Sequence, residues 1–152
     1  MPDYRFTGVL AVLHATTRDG RRLDEPGSEL TRPLPLPLVR PGGPGIGRID
    51  RVWRDSNLIR YSGELDDTHP DAAEIRAEIQ AGKLVGMLDA DSAEPEYRRP
   101  SSDMIQEAER PLDVEPDVLA VLHGWRVMAA TLMPSEEKAW PEVSLTLDDG
   151  PQ

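Results

Sequence analysis

Three imidazoles, His14, His69 and His123, are the candidate general bases of this chain. A serine hydrolase needs one of them within hydrogen-bond reach of a hydroxyl, with a third group orienting the ring. His69 precedes or caps a helix and Ser62 lies at the end of a strand nearby, so the two form a conceivable dyad whose geometry nothing in the sequence fixes. His14 stands at the end of a strand with no acidic or serine partner implied nearby, and reads as a structural or surface histidine. Asp89 and Asp91, one residue apart on a strand, face the same side and could share an ion. With no further ligands in view, a solvated acidic turn is the preferred reading. No cysteine is present, so disulfides and thiolate metal sites drop out. There is no Gly-x-Gly-x-x-Gly after a strand, no phosphate loop and no His-Glu-x-x-His. The glycine-rich run from Gly42 to Gly47 precedes a strand, so it lacks the helix N-terminus that binds phosphate. Neither a metal nor a cofactor is expected.

The elements that would position these groups are read from periodicity and turn chemistry. From Thr68 the pattern is helical: Thr68 and Asp71 are spaced as a capping box, and Pro70 suits a first turn. Ala72, Ile75 and Ile79 fall on one face, and Gly82 supplies the stop. A short buried strand, Leu84 to Leu88, follows and runs into the acidic turn. Arg5 to Leu13 is a buried strand, Thr16 to Gly20 a turn, and Ile46–Arg54 with Leu58–Leu65 a hairpin through Asp55-Ser56-Asn57. The hairpin register puts Ile46, Arg48, Asp50 and Val52 on one face. Trp53 lies on the other, preferably as a core anchor and otherwise as a contact residue.

Leu34, Leu36 and Leu38 alternate with Pro33, Pro35 and Pro37. In an extended strand, prolines two apart strip the donors from one edge only. An edge strand that pairs on one side is therefore expected, with polyproline II as the competing form. Ser92 to Pro116 loses periodicity and reads as a long loop or mobile arm, in which Ser101 to Ala108 could form a short helix. Val118–Leu122 and Trp125–Met133 return to strand character, broken at His123-Gly124. Pro134 to Lys138 is a turn or short helix, Val143–Leu147 a closing strand, and 148–152 a loose tail.

In order along the chain, these pieces resemble the tailed-phage prohead (capsid maturation) proteases. The run Gly82-Lys83-Leu84-Val85-Gly86-Met87-Leu88 matches the serine-bearing Gly-x-Leu-x-Gly-x-Ser strand of that family. Further matches are Phe6-Thr7-Gly8-Val9-Leu10 with Asp19-Gly20-Arg21, then Leu34–Leu38, Ile46–Asp50 and Tyr61–Asp66. Ala130–Pro134 and Ala139–Val143 complete the set, which covers most of residues 6 to 147. The chain departs from the family at two places. Leu88 stands where the family carries its nucleophilic serine. No histidine occurs between His14 and His69, although the family's catalytic histidine lies just past the leucine-rich strand. An alkyl group offers neither a nucleophile nor a hydrogen bond.

At 152 residues and a net charge of -11, one domain over 1–152 with its own core is expected, not a general nucleic-acid binder. No stretch approaches a membrane span, and the first residues lack the regions of a signal peptide. A soluble protein made inside a cell is the expectation. Residues 1–60 carry +3 and residues 61–152 carry -14. That asymmetry would suit docking onto a charged lattice, although a solvated acidic surface explains it more simply.

The expected fold is β-rich α+β, a small barrel or closed sheet with a few helices, as the resemblance implies. The expected function is non-enzymatic. A pseudoenzyme derived from a prohead protease would be made in the host cytoplasm and retained in the virion as a capsid decoration or shell-stabilising protein. Its partner would be the major capsid protein, with self-association also open. An internal assembly or scaffolding factor, or a maturation protease with relocated catalytic residues, are the alternatives. Candidate contact residues are Leu34, Leu36 and Leu38 of the proline-rich edge, Trp53, and Met104 and Ile105 of the arm.

Overall fold

Apolar residues alternate along Leu58–Leu65 and every second side chain, Ile59, Tyr61, Gly63 and Leu65, is buried, as a strand with one face on a core requires. This strand, β5, lies inside a seven-stranded sheet whose order is β10-β1-β5-β4-β3-β9-β6. The computed structural model of the chain describes residues 4–17, 20–42, 45–91, 94–97 and 120–147. The sheet is formed by β1 (Arg5–Val12), β3 (Leu36–Val39), β4 (Gly45–Asp55), β5, β6 (Leu84–Asp91), β9 (Arg126–Pro134) and β10 (Ser144–Leu147). All its pairs are antiparallel except β3 with β9. A second sheet, β2-β8-β7, joins Arg21–Leu23, Ala120–His123 and Glu94–Tyr97.

The large sheet curls into a half-barrel, not the closed barrel allowed for by the sequence. Its concave side holds the core, where Phe6 meets Tyr61 edge to face at 5.6 Å between centroids. The described residues contain one α-helix, α1 (Ala72–Gln80), and one 3-10 turn, Ser135–Glu137. The helix packs on both edge strands, β10 and β6, across the seam of the curl.

Ala72, Ile75 and Ile79 are buried as their spacing predicts, each isoleucine contributing about 1.5–3 kcal/mol by removal from water. Gly82 ends the helix with φ 73°. The capping box does not form. Asp66 takes both the N–H and the hydroxyl of Thr68 (3.0 and 2.6 Å), which holds that segment in a turn. The helix starts later, after Asp71, whose side chain accepts from Arg40 Nη1 at 2.7 Å.

Two irregularities revise the hairpin. Leu38 opposes Gly47 and Val39 opposes Gly45, so Ile46 is an extra residue in β4. Ile49 opposes Gly63 and Arg51 opposes Ser62, so Asp50 is another. Bulges shift the parity of a strand, and Ile46 and Ile49, three apart, are both buried. The expected face of Ile46, Arg48, Asp50 and Val52 is therefore not kept.

The edge-strand expectation for the leucine–proline segment fails as well. β3 is interior, pairing with β4 along its length and with β9 at Leu38 and Val39. Both residues that reach β9 lie beyond Pro37, so the prolines shorten the second contact without abolishing it. Within the segment expected as loop, Glu94–Tyr97 forms β7. The expected helix at Ser101–Ala108 and the loose tail at 148–152 lie outside the described residues.

Candidate functional site

β6 and β9 form the longest wall of a cleft of about 520 Å³, in the range of small-ligand pockets. Its apolar lining includes Leu10 from β1, Leu23 from β2, Leu88 from β6, Met128 and Met133 from β9, and Trp140 from the segment before β10. The sequence builds this wall simply. Gly82 stops the helix, β6 starts two residues later, and its register with β9 carries Leu84 opposite Pro134 through to Asp91 opposite Arg126. In β9 a register shift leaves Met128 as an extra residue, which turns this soft side chain into the cleft.

Leu88, the position that the family resemblance equates with a nucleophile, is thus on the cleft wall. No imidazole lines the cleft. Among the described residues no serine is hydrogen bonded to a histidine. Ser62 sits in the middle of the sheet opposite Thr7 and Arg51, and His69 Nδ1 accepts the Asp71 N–H at 3.1 Å, so the conceivable Ser62–His69 dyad is not assembled.

On the cleft wall, Gly86 stands in front of Tyr61. The Tyr61 side chain is fully buried, and its hydroxyl meets no partner in hydrogen-bond geometry. Burial pushes its phenol well above the ordinary range, with the Gly86 backbone acting weakly the other way. A Cβ on Gly86 would stand 2.4 Å from the Tyr61 hydroxyl, so glycine is what lets β6 pass in front of the ring.

The paired carboxylates do not share a site. Asp89 accepts from Thr131 Oγ1 at 2.6 Å. Asp91 accepts from Arg126 Nε at 2.8 Å and also from Arg32. Those bonds, Arg126 foremost, hold the Asp91 carboxyl below the usual carboxylate range. Among the described residues no group of three or more histidines and carboxylates is arranged to hold a metal ion.

A polar cluster missed by the sequence reading lies where the two sheets meet. His14, in the left-handed region at φ 62°, places Nδ1 3.4 Å from Asp24 and Nε2 3.0 Å from Glu25. Arg54 from the hairpin tip clamps Glu25 with two bonds of 2.7 and 3.1 Å, and His123 Nδ1 lies 3.7 Å from Asp24. Arg54, then His14, lower the Glu25 carboxyl from its ordinary value. The expectation that His14 lacks an acidic partner is therefore corrected. The turn chemistry of Thr16–Gly20 was the available signal, because past it Arg22 bridges Thr16 and Leu23 bridges Leu13, which sets Asp24 beside His14. The cluster orients an imidazole, yet no hydroxyl nucleophile bonds to it among the described residues.

The candidate contact residues separate. Leu36 and Leu38 are in the core at 2% and 0% exposure, turned inward by β3, whereas Leu34 before the strand is 46% exposed. Trp53 is not the core anchor favoured from sequence. It is half-buried outside the core, with the Arg51 guanidinium 4.2 Å from its ring. Met104 and Ile105 lie outside the described residues. No helix among the described residues is long and apolar enough to cross a membrane. Comparisons of the chain with protein-family models, with curated proteins and with solved structures return no match.

Proposed function

We propose that the chain is a catalytically degenerate relative of the prohead proteases that serves as a non-enzymatic, capsid-associated protein of a phage virion. The observation that carries this reading is Leu88 on the wall of the cleft. A cleft of ligand-binding size is present at the position the resemblance marks for a nucleophile, and its wall there is alkyl with no imidazole lining it. A cleft without the means to cut is suited to holding. In this reading the half-barrel is the family's fold with its seam covered by α1, and the major capsid protein is the partner. Leu34 and the Arg51–Trp53 stack are the contact residues that the fold leaves accessible.

Mass spectrometry of purified virions tests the reading. The chain is expected at a copy number stoichiometric with the capsid lattice, whereas trace abundance would favour an internal assembly factor and absence would remove the capsid role. Incubation of the purified protein with its major capsid protein tests the missing chemistry. Intact capsid protein is expected. Specific cleavage that is abolished by Ser62→Ala or His14→Ala would replace this reading with a relocated protease.

A further inference from the structure

Sulfur is scarce in this chain and concentrated in one place. There is no cysteine, and of the five methionines three, Met87, Met128 and Met133, line the cleft. The fold sorts these three thioethers. Register sets Met87 opposite Thr131 and Met133 opposite Val85, so the period of two puts all four on one face of the β6–β9 ladder. That face is covered at one end and open at the other. Val85 is 4% exposed and Met133 packs against the core, whereas Met87 is 39% exposed and belongs to no part of it. The residue across from Met87 is small and already engaged, since Thr131 donates its hydroxyl to Asp89 at 2.6 Å. Met128 is also outside the core, but half-buried.

Oxidation of a thioether replaces an apolar, flexible side chain with one that carries a strongly polar S=O group. At Met133 the new oxygen would disturb contacts with the core and need a donor there. At Met87 water solvates it at once, and no core contact is lost. Hydrogen peroxide is uncharged, so the net charge of -11 does not hold it off. With no thiol in the chain to react first, the exposed thioether is the accessible sulfur.

We infer that Met87 is a reversible oxidation site, converted to its sulfoxide by a peroxide in the folded protein, and that this turns its part of the cleft wall polar. The sulfur lone pair forms the S–O bond as the O–O bond of hydrogen peroxide breaks. The sulfur loses two electrons, and the displaced hydroxide takes up the remaining peroxide proton and leaves as water. Two thiols reverse the step, yielding the thioether, a disulfide and water. The inference rests on the accessibility of one sulfur and holds whether or not the cleft receives a capsid protein.

The test treats the folded, full-length protein with hydrogen peroxide and follows the sulfoxide at each methionine by peptide mass spectrometry. Met87 is expected to react first of the three, about 10-fold faster than Met133. Urea unfolding of the protein oxidised at Met87 should match that of the untreated protein, and methionine sulfoxide reductases with dithiothreitol should restore its mass. Retention on a phenyl column reads the polarity of the wall. Oxidised wild type is expected to elute earlier than untreated protein, and Met87→Leu, which has no sulfur at that position, should shift less under the same treatment. Met87→Gln, polar and of similar length, should elute early without peroxide and keeps the test decisive if the leucine variant does not fold. Met128 or Met133 reacting as fast as Met87, a loss of stability on oxidation of Met87, or equal retention shifts in wild type and Met87→Leu would each overturn the site.

Discussion

The two lateral edges of the large sheet are built to opposite ends. β10 is four residues long, its exposed positions are polar, and α1 packs against it. These are common means of blunting an edge against further pairing. β6 is eight residues long, has neither proline nor lysine, and borders an open cleft over its second half. Its carboxylates come only at the far end, at Asp89 and Asp91. Both edges nonetheless depend on a glycine. Gly8 of β1 lets β10 lie close, and Gly86 of β6 lets that strand cross the face of Tyr61. The two edges share the cover of α1 and approach each other across the seam, so what sets β6 apart is its length and the cleft along its second half.

The largest effect is expected at the closed edge. A Cβ on Gly8 would stand 2.1 Å from the Ser144 carbonyl oxygen, a backbone atom that can move only if β10 moves. Gly8→Ala should cost about 3 kcal/mol in urea unfolding, with faster amide exchange along β10. Gly86→Ala presses on the end of a side chain and should cost less, about 2 kcal/mol. Tyr61→Phe alone should change stability by under about 1 kcal/mol, because the hydroxyl has no partner to lose. Combined with Gly86→Ala it should recover at least half the loss. A double-mutant cycle checks this, and strict additivity would show that the glycine serves some other need.

Local chemistry was legible wherever it was also sufficient. The bounds of β5, the buried face Ala72, Ile75 and Ile79, and the glycine stop at Gly82 all follow from short-range rules. What sequence spacing could not supply was parity and partnership. Extra residues at Ile46 and Asp50 reverse which side chains face inward, and no composition signal marks a bulge that tertiary pairing imposes. The Leu–Pro segment carries the donor pattern of an edge, yet two bonding residues past Pro37 are enough to place it inside the sheet. The bulk of an indole suits a core, but the shifted parity and Arg51 hold Trp53 outside. His14 needed the turn at Thr16–Gly20 to be followed through to its consequence at Asp24 and Glu25. For the cleft, the strand carrying Leu88 was legible. The facing wall from Leu23 and Trp140 was not, because it comes from segments far apart in the chain.

The smallest effect concerns how the open edge is anchored at its far end. Asp91 is 15% exposed and ties the last residue of β6 to Arg126 on β9 and to Arg32, whereas β10 has no ion pair among the described residues. Its folded-state pKa lies below that of the unfolded chain, chiefly through the Arg126 bond. A depressed carboxylate contributes stability that is fully present above the unfolded value of about 3.9 and is lost as the pH falls through the lower folded value. Asp91→Asn removes that titration. The stability difference between the wild type and Asp91→Asn should therefore be positive and flat above about pH 5, and should shrink steadily below about pH 4. It should also shrink as ionic strength rises, since both arginines are within reach of solvent. A difference that stays flat to pH 2 would mean that the Asp91 pairs do not fasten β6, and that pairing with β9 alone keeps the open edge in place.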